Sequence, residues 1–180
     1  MILNNFKTVE LFQRLARTEE RYWTNYIGTV KNTSGTKVDN IYSYYHAGCM
    51  NINYEDLVDG MKQQTEIVSA MDIVVGNGTT PVTADDFKIE SEVFDGLQFV
   101  SMTKKGVSGS NGKMWIDYYK TMKNNTGETI TISEIGLKNF MYAYQDNKHP
   151  ILLTREILEQ PIVVPNGGIF TVQAGIVWSM

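Results

Sequence analysis

Lys113 to Phe140 reads KMWIDYYKTMKNNTGETITISEIGLKNF, and its pattern decides the fold class. Met114, Ile116, Tyr118, Lys120 and Met122 fall on one face of an extended chain, and Trp115, Asp117, Tyr119, Thr121 and Lys123 on the other. Either face is eligible for a core. Ile130, Ile132 and Ile135 then alternate with Thr129, Thr131, Ser133 and Glu134, the signature of a second strand. The alternation slips at Glu134, which predicts a bulge or a strand exit there. Asn124 to Glu128 tolerate left-handed backbone angles, so the two strands are expected to form a hairpin.

Outward from this stretch, 180 residues with 42% hydrophobic and 20% charged side chains suit one globular domain. A net charge of −4 argues against general attraction to nucleic acid. The single cysteine, Cys49, removes any intrachain disulfide or multi-cysteine zinc site and suits a reducing compartment. No run approaches a membrane span, and Met1 to Leu15 lacks the features of a signal peptide, so the chain reads as soluble.

Toward the N-terminus, Asn4 or Asn5 would cap a short helix to about Glu20, with Phe6, Val9, Phe12, Leu15 and Ala16 on one side. That helix would lie on the chain's own core or act as an arm on a neighbouring subunit. Arg21 to Val30 reads as a strand broken by a turn at Asn32 to Gly35, and Lys37 to Met50 resumes. Its cluster Ile41, Tyr42, Tyr44 and Tyr45 fits packing better than stacking on sugars or bases, since no basic neighbourhood accompanies it. His46 and Cys49 alone are weak evidence for a metal. Asn51 to Asp72 fits helix or strand, and residues 1–70 are expected to pack with the 71–180 core as a single domain.

Asp72 to Val75 reads as a short buried strand ended by Gly76, Asn77 and Gly78. A phosphate cradle fails here, because neither glycine fingerprint is present. Thr79 to Asp86 is expected to be an ordered surface loop, stiffened by Pro81 and held by Thr and Asp side chains on nearby backbone. Lys88 to Val93 reads as a strand. Asp85, Asp86, Glu90 and Glu92 lack the spacing of a calcium loop. Leu97 to Thr103 is a strand and Lys104 to Gly112 a glycine-rich tip; Gln145 to Pro150 is a second exposed loop. Ile151 to Leu158 is a strand in which Arg155 needs an acceptor, with Glu134 and Glu156 as candidates and Glu134 preferred. Pro161 to Val164, the turn Pro165 to Gly168 and Ile169 to Trp178 read as a closing hairpin. The regular spacing of strands and turns predicts a mainly β chain, an antiparallel β-sandwich of jelly-roll or Greek-key type with a short N-terminal helix.

Three segments, VVGNGTTPVTADDFKIESEV, NNTGETITISEIGL and ILLTREILEQPIVVPNGGIFTVQAGI, together resemble β-sandwich structural proteins of tailed-bacteriophage virions. In that family a GxGTTPxTxxDxxLE loop, an ITISEIGL strand and an LLxRxVL ending with a PxGG turn follow in the same order. The likeness covers about Asp72 to Trp178, with Ile89 and Ile157 where the pattern has Leu and Val. The matching positions are Gly76, Gly78, Thr79, Thr80, Pro81, Asp86, Glu134, Gly136, Arg155, Pro165 and Gly168, taken as markers of fold.

The resemblance implies a non-enzymatic component of a phage head, neck or tail, a homo-oligomer that contacts other virion proteins and is made and assembled in the host bacterial cytoplasm. It implies no catalytic residue, no metal and no cofactor. The alternative is a carbohydrate- or receptor-binding module of a phage fibre, with a host glycan stacked on Tyr42, Tyr44, Tyr45 or Trp115. An enzyme is the weakest reading. Adjacent carboxylates such as Asp85 and Asp86 point to opposite faces if extended, and two histidines and one cysteine form no triad pattern.

Overall fold

The computed structural model describes residues 1, 3–4, 30–38, 41–42, 72–93, 95–110, 113–143 and 147–179. Among them the strands are β1 (Val30–Lys31), β2 (Lys37–Val38), β3 (Ile41–Tyr42), β4 (Asp72–Gly76), β5 (Leu97–Ser110), β6 (Lys113–Asn124), β7 (Ile130–Ala143), β8 (Asn147–Val164) and β9 (Ile169–Ser179). The protein is mainly β with antiparallel sheets. The expected N-terminal helix falls almost wholly on residues outside those described, as do Tyr44, Tyr45, His46, Cys49 and residues 51–71.

The chain divides into two compact units. The first lies within Met1–Asp72, Thr83–Lys88 and Lys138–Arg155, the second within Ile73–Val82, Ile89–Leu137 and Glu156–Met180.

In the second unit, β6 and β7 form where the alternation places them, but they are not partners. β6 is the central strand of a three-stranded sheet ordered β5-β6-β9, whereas β7 pairs with β4 and β8 in another; the far end of β7, in the first unit, pairs with β3 through Tyr142 and Ala143. With β5 and β9 on its two edges, β6 has no edge left for β7. The expected hairpin is therefore an arch that carries the chain from one sheet to the other. The closing segment does the same, since β8 pairs with β7 and β9 with β6. Tyr118 and Met122 turn inward from β6, and Phe170, Val172 and Ile176 from β9.

The true hairpin is β5–β6. Its ladder runs from Leu97↔Asn124 to Ser110↔Lys113, with shifts at Phe99/Ser101 and Lys105/Ser108. Lys104 to Ser110, expected as a tip, is thus strand. The ladder closes on the pair Ser110↔Lys113. Lys88 to Val93, expected as a strand, keeps a single bridge, Gly76↔Glu92.

The first unit contains the β1–β2 hairpin, paired Val30↔Val38 and Lys31↔Lys37. Its turn follows the expectation for Asn32 to Gly35: the buried Asn32 side chain accepts from the Ser34 and Thr36 amides at 3.1 and 2.9 Å, and Gly35 has φ 83°. A Cβ at Gly35 would lie 3.1 Å from the Phe87 ring, over which Lys31 Nζ sits 5.5 Å from the centroid. Thr33 N donates to Pro150 O at 2.9 Å. Pro150 lies within β8, which begins at Asn147, so the expected Gln145 to Pro150 loop is shorter than its sequence suggests. Among the described strands β8 pairs with β7 alone, which leaves room for Pro150 and Pro161, whose nitrogens cannot enter a ladder. Leu3 N donates to Leu153 O, Arg155 N to Met1 O, and the Met1 ammonium to Arg155 O, so the described N-terminal residues run beside β8.

Candidate functional site

β7 does not exit its sheet at Glu134. Every residue from Ile132 to Leu137 is buried, so the alternation slips because both faces are covered, and Glu134 is 0% exposed. Its carboxylate needs donors in such a place. The Glu134 Oε1 atom accepts from Gly78 N at 3.1 Å and Ser91 N at 2.8 Å, and Oε2 from Glu90 N at 3.2 Å. Next to it, Ser133 Oγ donates to Gly78 O at 3.0 Å. Amides that a strand would have given to a ladder go to this carboxylate instead, which is why Lys88 to Val93 does not extend as one.

The glycines are set by this contact and by the backbone beside it, since a Cβ at Gly76 would meet Ser91 O first. A Cβ at Gly76 would lie 2.5 Å from Glu134 Oε1 and 2.7 Å from Ile89 Cγ2; at Gly78 it would lie 2.5 Å from that oxygen and 2.6 Å from Glu90 Cβ. Space, not backbone angle, demands glycine at both. Glu90 completes the arrangement by accepting from the Thr79 and Thr80 amides, each at 2.9 Å, and from Thr80 Oγ1. Pro81 follows in the exposed part of this segment.

In the first unit, Asp86 Oδ2 receives Arg155 Nη1 at 2.8 Å and Thr83 N at 3.1 Å, and Oδ1 receives Thr83 Oγ1 at 2.7 Å. The Arg155 side chain is 4% exposed and that of Asp86 19%. Burial pushes the Asp86 carboxyl up, but the hydrogen bonds from Arg155 and Thr83, with the Arg155 charge, outweigh it and hold the group below its ordinary 3.8. The loop is held by Thr and Asp side chains, as its composition predicts. Asp85 takes Asn4 Nδ2 at 2.9 Å, so the adjacent carboxylates serve different partners. Asp86 is the acceptor that Arg155 finds within its own unit. The expected Glu134–Arg155 pair would join residues of different units and stays an expectation.

The third set of marked residues lies where the two arches meet in the second unit. Asn124 N donates to Gly168 O at 2.8 Å and Gly167 N to Asn124 O at 2.6 Å. The Asn124 side chain, 0% exposed, donates to Glu128 O and Val164 O and accepts from Thr126 N. Asn166 Oδ1 accepts from Gly127 N at 3.1 Å. Gly168 N closes the turn on Pro165 O at 2.9 Å. Gly136 is buried within β7.

Seven of the marked residues thus fall into three clusters: Gly76, Gly78 and Glu134; Asp86 and Arg155; Pro165 and Gly168. Their chemistry is to satisfy and fix backbone. Glu90, Asn124 and Asn166 share this work; the sequence places the two asparagines in turns and Glu90 among the carboxylates, but does not show which groups they hold. The available signal was an Asn two residues before a Thr at a strand end, the pattern of a side-chain-closed turn. Burial of Tyr118 pushes its phenol up to about 12. Among the described residues no three His, Cys, Asp or Glu side chains converge as a metal site, and no helix is long and apolar enough to cross a membrane. Tyr42 and Trp115 lie in β3 and β6, and their side chains are not among those described. No family model matches the chain, and neither does any curated protein or solved structure.

Proposed function

We propose that this chain is a non-enzymatic structural component of a tailed-phage virion, in the head, neck or tail, which assembles as a homo-oligomer and contacts other virion proteins. In this reading the fold is an antiparallel β-sandwich, and the protein is made and assembled in the host bacterial cytoplasm. One observation carries the proposal. The residues on which the resemblance rests are those that fix the backbone: Glu134 with Gly76 and Gly78, Arg155 with Asp86, and the Pro165–Gly168 turn against Asn124. A composite of strands and turns is specific when its parts have a joint structural task. The two arches support the sandwich, because adjacent arches let consecutive strands alternate between two sheets.

Peptides of this chain are expected in purified phage particles by mass spectrometry, and the purified protein is expected to form multimers by mass measurement and negative-stain imaging. A strict monomer that never accompanies particles would overturn the proposal.

A further inference from the structure

The three-stranded sheet has two edges, and they are built differently. β5 carries Lys104 and Lys105 and two register shifts, devices that keep an edge from pairing with another chain. Its exposed Phe99 and Val100 lie at the first shift. β9, IFTVQAGIVWS, has no charged residue and no proline, and it follows β6 without interruption from Lys123↔Ile169 to Lys113↔Ser179. Its outer edge has no partner among the described strands. Ile169 is 66% and Val177 51% exposed. Gly175 is exposed as well, and with no side chain there it is the strand's own backbone that water reaches.

We infer that the β9 edge pairs antiparallel with β9 of a second copy of this chain, across a two-fold axis at Gln173. An uncharged strand meets its own copy without repulsion between like charges, and a two-fold contact uses the same edge on both sides, leaving none open. With Gln173 opposite itself, Ile169 faces Val177 of the second copy, and Thr171 faces Gly175. The two exposed apolar residues cover one another twice in this register, and Gly175 admits the approaching backbone. This gives a surface to the self-association in the proposed function and rests on that reading only for the expectation that copies meet.

Disulfide trapping tests the register, in a Cys49→Ser background that removes the only native cysteine. Gln173→Cys is expected to give a linked dimer on mild oxidation, since directly opposed residues stand about 4.5–5.5 Å apart. Thr171→Cys is expected to give little, its two copies being about 13 Å apart along the strands. The double variant Ile169→Lys, Val177→Lys sets lysines opposite lysines and is expected to weaken association at least about tenfold by sedimentation, with its β circular dichroism retained. A folded double variant that associates like the native chain, or equal trapping at 171 and 173, would overturn the inference. If such a variant's multimers still enter particles, the proposed function stands without this edge. A native chain that stays monomeric and out of particles removes both.

Discussion

Glu134 in the second unit and Asp86 in the first each fasten a loop, by opposite means. Glu134 is fully buried and takes backbone amides from Gly78, Glu90 and Ser91, residues distant in sequence. Asp86 sits nearer solvent and takes its three-residue neighbour Thr83 together with the charged Arg155. A carboxylate serving three amides fixes backbone with its geometry, so a change in its shape is costly. A carboxylate serving an arginine and a hydroxyl is tuned by charge, so it answers to pH.

Glu134→Ala would break this comparison most severely. It leaves three amides in a covered region without that acceptor, and a loss of about 3–5 kcal/mol is expected. Hydrogen exchange is expected to rise at 77–79 and 89–92 while 83–88 keeps its protection; unchanged exchange around Gly78 would deny the carboxylate its holding role.

Gly78→Ala attacks the same contact from the other side, pressing a methyl against Glu134 Oε1 and Glu90 Cβ. About 2–3 kcal/mol is expected, read as a lower urea midpoint. Shortening the acid by Glu134→Asp in the same chain should make the pair cost less than the sum of the two. Strict additivity would show that the glycine is not set by the carboxylate.

Asp86→Asn is the mildest, with about 1 kcal/mol lost at pH 7. Because the folded carboxyl lies below 3.8, its contribution is complete above that pH and is lost as pH falls through the folded value. Denaturation midpoints of native and variant chains should therefore converge below about pH 3.8 and stay apart above it. A gap that persists into stronger acid would contradict the charge-tuned role.

The sequence made the strands more legible than their partners. β4, β6, β7 and the ends of β8 and β9 lie close to where alternation and turn residues place them, because burial on one face imposes period two wherever a strand sits. Pairing is another matter. NNTGE and PNGG hold the same residue types as hairpin loops, yet each joins strands of different sheets, because Asn124 and the facing arch satisfy the turn's polar groups in place of a ladder. The β5–β6 pairing that is present closes at Ser110↔Lys113, in a stretch whose glycines and polar residues read as a tip. The site was legible in part. Gly76, Gly78 and Glu134 were marked singly, but their joint geometry depends on a carboxylate buried far along the chain, which local pattern does not encode.

The arches also set an order of events in folding. β5 and β6 are joined by a short connection and can zip together at once, while β6's other edge waits: Lys123 for Ile169 and Lys113 for Ser179. Until residues 169–179 have left the ribosome and closed that edge, β6 presents an unpaired ladder, and folding is governed by slow, long-range closure. Chaperone engagement during synthesis should centre on β6 and end with the arrival of β9.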